Sequence, residues 1–144
     1  MQISVAALME DDLKFILSVQ FPQLPIELIN HMVQFNNKLA SEAGIVWGHT
    51  GSPWEMNLRD IIRWCETTIE ATSNEFRDNK QYFNPGDSVE LIYVNRMRTN
   101  EDRQKVNRGH CYKIVFKISR IAKNNRKKLV WKKIAFIKIK YIKF

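Results

Sequence analysis

The 144-residue sequence predicts a mainly α-helical fold, with one short strand ahead of the helices and a basic, poorly specified tail with a β-like alternation behind them. Apolar residues recur at three- and four-residue spacing in four separate blocks, the period that places them on one face of a helix. Helix-opening residues stand ahead of those blocks: an acidic run, a proline, and two polar residues with an acid three positions on. Every Asp and Glu lies at or before Asp102, so the helical signals and the acidic residues end together.

In chain order, ISVAAL at Ile3 to Leu8 is short and apolar and suits a terminal strand without visible partner strands. Glu10, Asp11 and Asp12 then supply negative charge to the start of a helix whose face carries Leu13, Ile16, Leu17 and Phe21, stopped by Pro22. Pro25 opens a second helix, where Leu28, Ile29, Met32, Val33, Phe35 and Leu39 form a broad apolar stripe that ends before Gly44. After the glycine-containing loop GIVWGHTGSPWEM, Asn57 and Asp60 make an N-x-x-D variant of the capping box at the head of a third helix. Leu58, Ile61, Ile62, Cys65 and Ile69 are its inner face. Past the turn NPGD at 84 to 87, Val89, Ile92, Tyr93 and Met97 fit helical spacing, and helix is preferred there, although VELIYV also reads as a strand. Thr99 and Asp102 repeat the cap pattern for one more helical turn, through Arg103 to Val106.

A hydrophobic fraction of 44% with 11% aromatics is enough to build the core of one modest domain. Cys65 and Cys111 stand far apart with no histidine at metal-ligand spacing, which argues against a disulfide framework and against a zinc site. MQISVAALMEDD turns acidic before a signal-peptide core forms, and no stretch of about eighteen apolar residues exists, so a soluble intracellular chain is expected. The net charge of +8 is an average over two unlike parts. Residues 1 to 109 hold 11 Lys and Arg against 15 Asp and Glu, a formal −4, whereas residues 110 to 144 hold 12 Lys and Arg and no acid, a formal +12. Such asymmetry marks a separate tail or a different origin, with the charge boundary near Gly109.

The five glycines never form GxxxxGK[ST], so no phosphate-cradling loop is present. VAALMEDD resembles a magnesium-holding strand only superficially, and a strand followed by a helix-opening acidic turn is the better reading. His31, His49 and His110 are isolated, and no nucleophile–base pair can be read. Arg59 is more informative, because a cation in the first turn of a helix opposes the dipole unless something anionic sits nearby. Its bland alternatives are pairing with Glu55 or Glu66, or packing over Trp54.

Three blocks in order carry a resemblance that spans nearly the whole body: FPQLPIELINHMVQFNNKL at 21 to 39, GSPWEMNLRDIIRWC at 51 to 65, and FNPGDSVELIYVNRMRTNEDRQKV at 83 to 106. They resemble the C-terminal helical lid of an AAA+ ATPase module, in particular that of the midasin family, giant nuclear proteins of ribosome assembly. On that likeness, residues 1–9 are the end of the large nucleotide-binding subdomain. Residues 10–106 are the lid and the start of the link to the next module, and are expected to fold without the tail. Residues 107–144 are a basic tail. Arg59 is similar to the sensor-2 arginine that reaches from lid to nucleotide phosphates, a task suited to a guanidinium because it stays charged and donates in pairs. Pro53 and Trp54, with Asn57 and Asp60, would support the seam between lid and large subdomain, plain core packing being the alternative for Pro53 and Trp54. Arg96, Arg98 and Arg103 look like a family signature, either contacting a partner or neighbouring module or pairing with Glu90, Glu101 and Asp102.

The resemblance implies ATP and magnesium as cofactors of a longer parent, with none bound by this chain alone, which is expected not to hydrolyse ATP. It implies neighbouring AAA+ subdomains of the same chain and pre-60S ribosomal particles as partners, and the nucleolus and nucleoplasm as location. The tail departs from the family pattern. FIKIKY at 136 to 141 alternates as a strand would, and the excess of Lys and Ile fits a gene-model artefact better than a nucleic-acid arm, the latter implying salt-sensitive RNA contact. The competing readings are a small non-enzymatic helical module with an RNA-binding tail, and the lid of another AAA+ protein of dynein or MoxR type.

Overall fold

The computed structural model describes residues 8–51, 53–78 and 85–108 and, beyond them, 117, 118, 120, 121 and 124. Five helices are continuous in the described chain, α1 (Glu10–Gln20), α2 (Ile26–Glu42), α3 (Leu58–Asp78), α4 (Ser88–Ile92) and α5 (Asn100–Arg108), and the described residues 117, 118, 120, 121 and 124 are helical as well. Short 3₁₀ turns at Pro85–Asp87 and Val94–Arg96 flank α4. Among the described residues there is no strand, in keeping with a helical lid bundle. The expected strand at Ile3 to Leu8 lies outside them except for Leu8, and the FIKIKY segment, Cys111 and His110 lie outside them altogether.

The first three helices each start where a neighbouring group accepts an N–H at or just ahead of the first turn. The Asp12 carboxylate accepts the Met9 N–H at 3.0 Å ahead of α1. At α2 the Pro25 carbonyl accepts from Leu28 and Ile29. At α3 the N-x-x-D pattern closes in full: Asn57 N–H donates to Asp60 Oδ2 and Arg59 N–H donates to Asn57 Oδ1, both at 3.1 Å. The segment that reads as helix or strand at 88 to 97 is α4 followed by a 3₁₀ turn, and Val89, Ile92, Tyr93, Val94 and Met97 are all buried.

α2 is the central element, with α1 packed on one side and α3 on the other, and α3 in turn against α4. All six residues of its predicted stripe are buried, as are Leu13, Leu17 and Phe21 from the α1 side. Three rings interlock at the middle: Phe35 of α2 meets Trp64 of α3 at 5.4 Å and Tyr93 at 5.1 Å, and Trp64 meets Tyr93 at 5.7 Å, all edge to face. Edge-to-face pairs add roughly 0.5–1.5 kcal/mol each beyond burial and hold the elements in one register. Their polar atoms are satisfied too. Trp64 Nε1 donates to the Pro85 carbonyl at 2.8 Å, and the Tyr93 hydroxyl donates to Asn36 Oδ1 at 3.1 Å. Asn36 passes the connection on by donating to the Met56 carbonyl at 3.2 Å, so it links Tyr93 to the residue before the α3 cap. The core does not end with α5, because Ile118 and Ile121 are buried in the same cluster.

Candidate functional site

The residues singled out in the sequence gather around the start of α3 and the loop that leads to it. That loop turns on Gly44, Gly48 and Gly51, all at positive φ. Two of them also stand against neighbours: a β-carbon on Gly48 would run into the Trp54 indole, and one on Gly51 into the Arg98 guanidinium. Trp54 is half-buried, its Nε1 donating to the Gly48 carbonyl at 2.8 Å and its ring edge-on to buried Trp47 at 5.1 Å. Arg98 lies over the other part of that ring at 5.9 Å, a cation–π distance. Pro53 is exposed.

The three arginines of the RMRT block have separate partners. Arg96 reaches furthest: its Nη1 donates to Asp60 Oδ1 at 2.8 Å and its Nη2 to the Glu55 carbonyl at 3.0 Å. The Asp60 side chain is 5% exposed and that of Arg96 38%, so a buried acid is met by a cation that stays partly in solvent, and the acid is also engaged by the Asn57 cap. Arg98 stacks on Trp54, and Arg103 Nε donates to the Met97 carbonyl at 3.2 Å. The alternative pairings with Glu90, Glu101 and Asp102 are not made: Lys105 holds Glu101 at 2.7 Å, and Asp102 Oδ1 accepts the Gly48 N–H at 3.0 Å. That bond holds the Asp102 carboxyl below the usual carboxylate range, against the opposing effect of burial.

Arg59 is different. It is exposed in the first turn of α3, and among the described residues no ion pair holds its guanidinium; neither Glu55 nor Glu66 takes it. The acid one position along, Asp60, is spoken for by Arg96. The arrangement therefore presents one uncommitted cation beside a capped helix N-terminus, where the helix field favours an anion. Arg63, one turn on, is also exposed.

A sequence profile described as the Midasin AAA lid domain matches residues 12–119. The chain belongs to this family. It is also similar to midasin from Dictyostelium discoideum, with 36% identity over 107 residues, which is 73% of this chain and 2% of that protein. No solved structure matches. As a midasin AAA lid, the chain spans a very small part of that relative, and its matched region runs past α5 to include buried Ile118.

Several residues that hold the lid together escape a sequence reading. Trp64 is absent from the inner face read for α3 although it lies three positions after Ile61, and Asn36 reads as one polar residue among many on α2. The Arg96–Asp60 and Asp102–Gly48 links join positions 36 and 54 residues apart, for which no local pattern gives a signal. Among the described residues no group of His, Cys, Asp and Glu is placed to hold a metal, and no helix is long and apolar enough to cross a membrane.

Proposed function

We propose that the chain works as the helical lid of a midasin-type AAA+ ATPase, with Arg59 facing the phosphates of ATP. The observation that carries this is the exposed, unpaired Arg59 in a first turn whose neighbouring acid is already neutralised. ATP held by an adjoining P-loop subdomain of the same polypeptide would supply the phosphoryl group. The lid's own contribution is a bidentate cation at the phosphate oxygens and the positive end of α3. Magnesium would be held by that subdomain, as the described residues of the lid offer no carboxylate cluster for it. In the parent, closure and release of such lids would drive remodelling of pre-60S ribosomal particles in the nucleus.

The test joins this chain to the P-loop subdomain of a midasin and measures magnesium-dependent ATP turnover. Arg59→Ala is expected to lower turnover or nucleotide affinity at least about tenfold, the scale of losing one charge-stabilising donor. Arg63→Ala should change little, and the chain alone should not hydrolyse ATP. Undiminished activity in the Arg59→Ala module would remove Arg59 from the phosphates, and hydrolysis by the chain alone would overturn the division of labour.

A further inference from the structure

We propose that Arg96 is a positioning residue for Arg59, acting through Asp60 and Asn57; this rests on the phosphate-facing reading of Arg59. The contacts form a continuous relay. Arg96 Nη1 donates to Asp60 Oδ1 at 2.8 Å, Asp60 Oδ2 accepts the Asn57 N–H at 3.1 Å, and Asn57 Oδ1 accepts the N–H of Arg59 itself at 3.1 Å. The second arm of the Arg96 fork holds the Glu55 carbonyl at 3.0 Å, so the guanidinium grips both ends of the turn from 55 to 60. The α3 entry is thereby tied to a segment 36 residues away.

Two features make this more than a stabilising ion pair. Without Arg96, Asp60 would be a buried, unneutralised carboxylate next to the residue whose task is to attract an anion, and its field would oppose phosphate. The backbone direction of Arg59 also depends on the Asn57 cap, which depends in turn on where the Asp60 carboxylate is held. Arg98 and Asp102 reinforce the same juxtaposition by engaging Trp54 and Gly48 from the segment that leads into α5. The relay therefore ties the angle of Arg59 to the position of the chain at 96–102, so a movement of that segment would reach the phosphates through defined hydrogen bonds.

The experiment uses the full 144-residue chain, ¹⁵N-labelled, titrated with inorganic triphosphate while the Arg59 amide and side-chain resonances are followed, at a temperature where melts show every variant folded. The unsubstituted chain should show weak saturable binding that Arg59→Ala abolishes. Arg96→Ala and the uncharged change Asn57→Ala should each weaken binding roughly three- to tenfold, the size of coupling one mediating residue carries. The double variant should be no weaker than the weaker single, because both break one relay. Lys105→Ala, which removes the same charge from the separate Glu101 pair, should bind as the unsubstituted chain does. Arg96→Lys, the variant to use if the alanine does not fold, keeps a cation on Asp60 and should restore most of the affinity. The relay is overturned by strict additivity of the two single changes, by Arg96→Ala or Arg96→Lys results equal to the unsubstituted chain and to the alanine variant respectively, or by an equal loss in Lys105→Ala. Binding that does not depend on Arg59, or no binding, overturns the phosphate reading and the relay together; the Arg59→Ala arm thus separates the two failures.

Discussion

Asp102 accepts the backbone N–H of Gly48 at 3.0 Å, closing the loop before α3 onto the first turn of α5 across 54 positions of sequence. Both residues are buried, so Asp102→Ala would strand the Gly48 N–H at a cost of about 1–3 kcal/mol. Asp102→Asn keeps an acceptor oxygen and should cost less. The sign of the pH dependence follows from the direction of the shift. A carboxyl held below its ordinary range contributes stability above the unfolded value, near pH 4, and that contribution is lost as pH falls through the folded value. The gap between the unsubstituted chain and the Asn variant in urea unfolding should therefore hold from pH 7 to about pH 5 and narrow as pH falls below about 4, and a gap that stays constant throughout would contradict it.

Cys65 is wholly buried with its Sγ 3.8 Å from Met32 Sδ, and burial pushes its thiol up to about 12. The thiolate, the reactive form, is almost absent at pH 8 and has no path to reagent. In a Cys111→Ser chain, iodoacetamide should modify Cys65 at least about a hundredfold more slowly than an exposed thiol, with full reactivity returning in urea. Rapid modification of the folded chain would place Cys65 outside the core.

What was legible in the sequence was local. The α2 stripe is readable because its six apolar positions recur at the helical period, and the Asn57–Asp60 cap because both partners sit within one turn. The second cap pattern shows the limit of such reading. Thr99 Oγ1 does accept the Asp102 N–H at 3.1 Å, but the Asp102 carboxylate also takes the Gly48 N–H from across the fold. A pattern within four residues does not register a donor that arrives from another segment. The same holds for Arg96, whose partner lies across the fold, and for Ile118 and Ile121, whose spacing is submerged in a lysine-rich stretch. The clash of Arg59 with the helix dipole points to a nearby anion, yet the sequence leaves pairing with Glu55 or Glu66 open, and the engagement of Asp60 by Arg96 from across the fold gives no local signal.

Trp64 tests the aromatic centre. Its indole N–H satisfies the buried Pro85 carbonyl at the turn into α4, and its ring abuts both Phe35 and Tyr93. Trp64→Phe keeps a ring but leaves the carbonyl unpaired and a void beside it, for a cost of about 2–3 kcal/mol by urea unfolding. Trp64→Ala should cost about 3–5 kcal/mol. A phenylalanine variant as stable as the original would mean that the Pro85 contact contributes nothing to holding α4.

The last prediction concerns where the folding unit ends. Charge places a boundary near Gly109 and the family resemblance ends the lid at Val106, and a chain ending at Asn107 keeps α1 to α5 apart from Arg108. Yet Ile118 is wholly buried and Ile121 is 9% exposed, in one cluster with Trp64, Tyr93 and Val106. Removing them exposes apolar surface that the bundle otherwise covers, and opens space that the rigid aromatic centre cannot collapse to fill. A chain ending at Asn107 should therefore melt below one ending at Asn124, and Ile118→Ala in the full chain should cost about 2–5 kcal/mol, with Ile121→Ala at or below the lower end of that range. The comparison separates burial from charge, because the alanine changes leave every lysine in place. Lys117→Ala, at an exposed position next to Ile118, is the control and should stay within about 0.5 kcal/mol. Identical melts for the two truncations, together with a silent Ile118→Ala, would show that the core closes without these residues and that the folding unit ends with α5.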